Sequence, residues 1–365
     1  KNGRKNLKII HTADLHFDSK METHFTRAMA NERRVEMRLT FKKMVEYANQ
    51  NDVKVILICG DMFDTLSISR ATKNFLFDCI SNNSNIDFIV LKGNHDEYDL
   101  SEEFNLPNLK FFTNEPSYFE YGNVVIGGIN TLKGYNLEVF ELMKFDKNKI
   151  NILCLHGQIE NVYNPSTDYC IPLKSLRGKS IDYVALGHIH NYASDKLDER
   201  GFYAYSGILE PRGFDECGQK GFIEIETDDK FGGLSFKFVP FSKRRFEIVG
   251  VDISNCQNSH DIQNAVFESL KQEAKENIIM VQLVGLVESG LEKDIQYLNK
   301  LLLDDFYFAK VVDKTGIKID FEKLKIDISL KGQFMRLVLA DETLSEAQKN
   351  AIIDFGIKAL TKGEF

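Results

Sequence analysis

Five short blocks of carboxylate, imidazole and amide side chains hold the chemistry this chain could perform. They are Asp14-Leu15-His16, Gly60-Asp61-Met62-Phe63-Asp64, Gly93-Asn94-His95-Asp96, His156-Gly157 and Gly187-His188-Ile189-His190. The chain has 8 histidines, and five of them fall in these blocks. Taken singly, an aspartate or histidine is more often a surface group or a satisfied polar residue than a ligand. Taken as an ordered set, oxygen and imidazole donors that converge on one place suit a pair of divalent metal ions. His24 and His260 belong to no such block and are read as ordinary polar residues.

Convergence requires a scaffold, and the sequence around each block supplies one. Every block follows a strand-like apolar run: Lys8–Ala13, Val53–Cys59, Phe88–Leu91, Ile152–Leu155 and Tyr183–Leu186. In layered α/β folds, ligands collect at the carboxyl ends of strands. An Asp-x-His or His-x-His step puts alternate residues on one side of an extended backbone, so both reach the same cluster. Gly60, Gly93 and Gly187 let the chain turn tightly beside it. Between the runs, Met37, Phe41, Met44, Val45 and Ala48 keep helical spacing, and a second helix fits Ser69 to about Ile80. Beyond residue 200 the pattern turns to strands alone (201–206, 221–227 and 234–240), as in a two-sheet sandwich with helices outside.

The charged run Phe241-Ser242-Lys243-Arg244-Arg245-Phe246 marks a boundary. We expect a first domain at 1–245, a small α/β cap at 246–316, and C-terminal helices over 317–365. The cap reads as strand, helix with Ile262, Val266 and Leu270, strand, helix with Leu291, Ile295, Leu298 and Leu302, then strand. Of the last two helices, one carries Leu330, Phe334, Leu337 and Val338 on a face. The other opens with Ser345-x-x-Gln348, a capping-box signature, and aligns Ala347, Ala351, Phe355 and Ala359.

The order DxH, GDxxD, GNHD, HG, GHxH resembles the calcineurin-like metallophosphoesterase family. The wording Ala13-Asp14-Leu15-His16-Phe17-Asp18-Ser19, Gly60–Asp64 and Ala185–His190 is similar to its DNA-repair exonuclease branch, the SbcD/YhaO-type and Mre-like nuclease subunits. The likeness in motifs covers roughly residues 7–225. It implies a four-layer α/β/β/α sandwich and a two-metal-dependent DNA nuclease, with manganese the metal best matched to four histidines among seven ligands. By the same resemblance Asp61 bridges two ions. Asp14, His16 and His190 complete one site, and Asn94, His156 and His188 the other. His95 is then the acid that protonates the leaving oxygen, and Asp64 steadies its imidazole. The branch further implies DNA as substrate, a homodimer, and an SbcC-like coiled-coil ATPase docked on the C-terminal helices. Arg212, Lys243, Arg244 and Arg245 are candidate DNA contacts; the competing reading of the last three is a solvated inter-domain link. Phosphoprotein phosphatases of the family carry an arginine after GDxxD and GNHE for GNHD, where this chain has Thr65 and Asp96. A phosphodiesterase acting on small nucleotides, or a catalytically weak scaffold that regulates an ATPase, remain the alternatives.

Composition bounds these readings. A net charge of −8 gives no global field attracting DNA, so a nucleic-acid site needs local positive charge from metals, basic residues or a partner. The 6 cysteines show no CxxC spacing, and Cys59 and Cys154 lie in apolar runs, which favours core thiols and a reducing, cytoplasmic setting. The basic start is followed by an apolar stretch broken by His11 and Asp14, so it is not read as a signal peptide. No apolar run approaches the ~20 residues of a membrane span.

Overall fold

A computed structural model of the chain describes residues 6–64, 68–96, 98, 100–130, 138–160, 169–228, 233–288, 290–318 and 326–362. Thr65 lies outside them. The chain divides into two compact units, Lys1–Phe246 and Glu247–Phe365.

The first unit is built on two six-stranded sheets. In chain order its strands are β1 (Lys8–Thr12), β2 (Val55–Cys59), β3 (Asp87–Leu91), β4 (Leu109–Phe111), β5 (Ser117–Tyr121), β6 (Val124–Gly128) and β7 (Ile150–His156). Then come the short pair β8 (Gln158–Ile159) and β9 (Cys170–Ile171), followed by β10 (Tyr183–Gly187), β11 (Ala193–Lys196), β12 (Phe202–Tyr205), β13 (Gly221–Asp228) and β14 (Gly233–Pro240). One sheet runs β14-β13-β1-β2-β3-β4 and the other β11-β12-β10-β7-β6-β5. Within them β1 to β4, and β6, β7, β10 and β12, are parallel, so their carboxyl ends share an edge.

Strand alternation explains the layering. Val55, Leu57 and Cys59 of β2, with Ile9 of β1, pack against Ile150, Ile152 and Cys154 of β7 and Ala185 of β10 in one core between the sheets. The intervening Leu153 and Leu155 of β7 face a second core with Phe140 and Leu176. Fully burying a side chain of this size is worth about 1.5–3 kcal/mol, so parallel strands apolar on both faces are held in register. On the far side of the first sheet lies helix α1 (Arg27–Gln50), whose Tyr47 hydroxyl donates to Glu224 of β13 at 2.7 Å. Helix α2 (Arg70–Ser81) starts where its cap lies: Ser69 Oγ accepts from Thr72 N at 3.1 Å. The result is the α/β sandwich with helices outside that the residue pattern implied.

In the second unit, helices Ser259–Leu270 and Ile295–Asp305 pack Ile262, Val266, Leu270, Leu298 and Leu302 against Ile279, Val281 and Leu283. The second of these starts at Ile295, after the expected Leu291, because Asp294 caps it by accepting from Tyr297 N. Helices Leu330–Ala340 and Glu346–Lys362 form a hairpin around Met335, Ile353 and Ile357. Ser345 and Gln348 bond reciprocally at its turn, as their spacing suggested. Phe334 does not sit on an outer stripe with Leu337. Its ring covers Gly356, where an added Cβ would meet it at 2.2 Å, while Leu330, Leu337 and Phe355 are exposed.

The run at 243–245 also behaves differently from a solvated link. Arg244 is buried and its guanidinium donates to Glu36 of α1 at 2.7 Å; Lys243 Nζ donates to the same carboxylate at 2.6 Å. Arg33, fully buried, bonds Glu36 and also Glu210, at 3.0 Å. Arg244 is therefore a buried structural charge and not a DNA contact, Lys243 is paired with the same carboxylate, and Arg245 is exposed.

Burial opposes the charge on Glu36, but bonds from Arg244 and Lys243 and the charge of Arg33 outweigh it and hold its pKa at about 2, below the ordinary 4.5. A depressed carboxylate contributes stability above its unfolded pKa and loses it as pH falls through the folded value. Urea unfolding should thus show Glu36→Gln less stable than wild type near neutrality, with the two curves converging between pH 4.5 and about 2. Parallel curves over that window would contradict this role.

Candidate metal centre

The five blocks meet at the shared edge of the two sheets. Just past β1 the chain is stapled to the loop after β2: Asp14 N donates to Gly60 O at 2.9 Å, His16 N to Asp61 O at 3.0 Å and Phe17 N to Met62 O at 2.9 Å. Asp96 ties that loop to the one after β3, its two oxygens accepting from Phe63 N and Gly93 N, each at 3.0 Å. Asp96 is thus a loop tie. Asp14, His16, Asp61 and His188 all have positive φ (52°, 43°, 51° and 95°). Such backbone costs of order 1–3 kcal/mol per residue and gathers at functional sites. Gly60 and Gly93 leave room for the cluster: a Cβ on Gly60 would lie 2.1 Å from His156 Nδ1, and one on Gly93 2.3 Å from Asp61 Oδ1.

The imidazoles are aimed from behind. His156 Nδ1 donates to Cys59 O at 2.9 Å, leaving Nε2 toward Asn94 Oδ1 at 3.0 Å and Asp61 Oδ2 at 3.3 Å. His188 Nδ1 lies 3.3 Å from the same Asn94 oxygen, and its backbone N–H donates to both Asp14 oxygens at 3.0 Å. His16 Nε2 faces His190 Nε2 across 3.3 Å, with its Nδ1 on Asp64 at 3.1 Å; His190 Nδ1 is held by Glu216 at 2.7 Å. Asp61 Oδ2 lies between these sets, 4.0 Å from His16 Nε2 and 3.3 Å from His156 Nε2. A ring nitrogen fixed by an outer oxygen, with its partner nitrogen facing inward, is how metal-ligating histidines are oriented.

The electrostatics point the same way. Burial pushes the Asp14 carboxyl up to about 7, with Asp61 adding to the rise and His156 opposing it. For His156, burial disfavours the cation, yet Asp61 and Asp14 raise it to about 9. Burial lowers His188 to about 4. Acceptor atoms crowd here, and a proton on His156 relieves only part of the crowding. Divalent cations bound by such donors would displace those protons. Among the described residues, two groups of donors that share Asp14 lie close enough to hold an ion: Asp14 with His16 and His190, and Asp14 with Asp61 and His156. The donor set therefore fits metal ions.

Beside the cluster, His95 is half exposed, and its backbone N–H donates to Asp61 Oδ1 at 2.9 Å. Asp64 does not hydrogen-bond His95. The two are 4.0 Å apart, because Asp64 Oδ1 turns to His16 at 3.1 Å. Arg212 reaches the same place, with Nη1 3.8 Å from Asp64 Oδ2 and Nη2 3.4 Å from His190 Nδ1. Glu216 carried no signal in the sequence reading: it lies outside every block and is brought to His190 only by the fold. His24 packs edge-on against Phe214.

Residues 7–192 match the calcineurin-like phosphoesterase family, and the match takes in every candidate ligand. The chain belongs to this family. Calcineurin-like phosphoesterases use two metal ions. Among similar proteins, the metallophosphoesterase YhaO of Bacillus subtilis is 26% identical over 76% of this chain and 71% of its own. The DNA double-strand break repair protein Mre11 of Saccharolobus solfataricus is 24% identical over 95% of this chain and 93% of its own. A dimetal phosphatase structure from Danio rerio matches 60% of this chain and 92% of its own, with 11% identity and a TM-score of 0.40.

Binding to the folded state raises stability by RT ln(1 + [L]/Kd), about 2.7 kcal/mol per site at one hundred times Kd. Manganese should therefore raise the unfolding temperature of this phosphoesterase, and Asp61→Asn should lose most of the rise. An equal rise in the variant would show that Asp61 is not shared between ions.

Proposed function

We propose that the chain is a two-metal-dependent DNA nuclease that hydrolyses phosphodiesters during DNA end processing and repair. The observation that carries this is a buried donor cluster with a half-exposed imidazole, His95, at its rim. The choice of DNA is supported by relatives named as DNA double-strand break repair proteins, aligned over 92% and 95% of this chain and hence across both units.

In this reading Asp61 would be shared between two divalent ions, Asp14, His16 and His190 would hold one, and Asn94, His156 and His188 the other. Divalent ions held there, for which four imidazoles favour manganese, would supply an activated water and offset charge on the phosphoryl oxygens. His95 gives its proton to the leaving oxygen. Its exposure lets a polymeric substrate reach it, and the bond from its backbone N–H to Asp61 fixes its distance from the cluster. Asp64 orients His16 in place of His95, and Arg212 stands beside both Asp64 and His190 at the rim of the cluster. A coiled-coil ATPase docked on the C-terminal hairpin completes the proposal, with Leu330, Leu337 and Phe355 among the apolar side chains exposed there. A homodimer is part of the same reading.

End-labelled duplex DNA should be degraded with Mn²⁺, more slowly with Mg²⁺, and spared by EDTA; intact DNA under saturating Mn²⁺ would overturn the assignment. His95→Ala should cut turnover about 10²–10⁴-fold with metal binding unchanged. For the partner, Phe355→Glu is the informative substitution, because Phe334 is part of the hairpin's own packing. Copurification with the ATPase should fall while cleavage of a simple diester persists, and undiminished copurification would place docking elsewhere.

A further inference from the structure

The two halves of the candidate centre are oriented by different means. His156 is aimed by a main-chain carbonyl, that of Cys59, which no side-chain substitution removes. His16 and His190 are aimed by two carboxylates, Asp64 and Glu216. Arg212 joins those carboxylates. Its Nη2 and Nε donate to Glu216 Oε1 at 2.7 and 3.1 Å, its backbone N–H donates to Oε2 at 2.6 Å, and its Nη1 stands 3.8 Å from Asp64 Oδ2. The contacts close into a ring: His16 to Asp64, Asp64 to Arg212, Arg212 to Glu216, Glu216 to His190, and His190 back to His16 across 3.3 Å.

We propose that Glu216 is a positioning residue, and that with Arg212 and Asp64 it forms a charged brace setting the affinity of the His16/His190 metal position alone. Glu216 is 2% exposed, so these bonds are where its two oxygens find their partners. The two oxygens accept the His190 N–H and three N–H groups of Arg212, which fixes the imidazole's tautomer and plane together. Arg212 lies against both carboxylates, with Nη2 2.7 Å from the buried Glu216 and Nη1 3.8 Å from the partly exposed Asp64, so it links the two groups that aim His190 and His16. On this view Arg212 acts first on metal retention and only through it on substrate. The Asn94/His156/His188 position shares none of these groups.

The inference rests on the metal-centre reading, and one experiment separates their failures. Calorimetric Mn²⁺ titration of the full chain should show two sites in the wild type; fewer than two at saturation overturns the underlying reading. Glu216→Gln should weaken one site about 10–100-fold and leave the other at its wild-type affinity. Two unchanged sites, or two equally weakened ones, would overturn the brace. Should Glu216→Gln fail to fold, Arg212→Gln tests the brace from its other end. The same selective loss at one site is expected, and wild-type affinity at both rejects the proposal.

Discussion

Everything at the centre of this protein turns on electron pairs that point at one another. Asp61, Asp14, Asn94 and the imidazoles of His16, His156 and His190 bring polar atoms within 4.8 Å of one another in groups, with His16 and His190 3.3 Å apart and His156 3.0 Å from Asn94. Divalent cations would complete that arrangement. Within the chain itself His156 and Asp61 answer part of that demand by pairing, which raises the imidazole's pKa and lowers the carboxyl's.

The architecture serves this constraint. Parallel strands from two sheets deliver the blocks to a common edge, and dual-faced apolar packing, such as the split of β7 between two cores, keeps their register from slipping. The loops then take conformations that side chains rarely adopt. Strain at Asp14, His16, Asp61 and His188 is balanced by main-chain bonds between neighbouring loops and by the Asp96 tie. A second layer, formed by Glu36, Glu210, Arg33 and Arg244, anchors the chain from α1 to the segment leading out of the first unit. Glu210 lies only two residues before Arg212, so the packing cluster and the site share one stretch of chain.

Much of this was legible in the sequence, for identifiable reasons. Ordered motifs after apolar runs exposed the donor set because strand ends and glycine turns are local features. Ser69 marked the start of α2, and Ser345 with Gln348 the start of the last helix, because caps are read within four residues. What escaped was set by partners distant in sequence. Glu216 lies 26 residues from His190, and nothing in its neighbours marks it as an orienting group. Arg244 looked solvated because Glu36, 208 residues away, could not be seen as its partner. Asp64 was paired with His95 by family analogy, whereas His16 is nearer. Phe334 kept a helical stripe but turned inward over Gly356, since a glycine on a facing helix opens a seat that periodicity alone does not reveal.

The most direct test of this account is anomalous diffraction at the manganese edge from crystals grown with Mn²⁺. Two peaks roughly 3.5–4 Å apart, with the Asp61 carboxylate between them and His16 and His190 at one, His156 and His188 at the other, are the predicted result. A single peak, or two peaks that Asp61 does not touch, would contradict it.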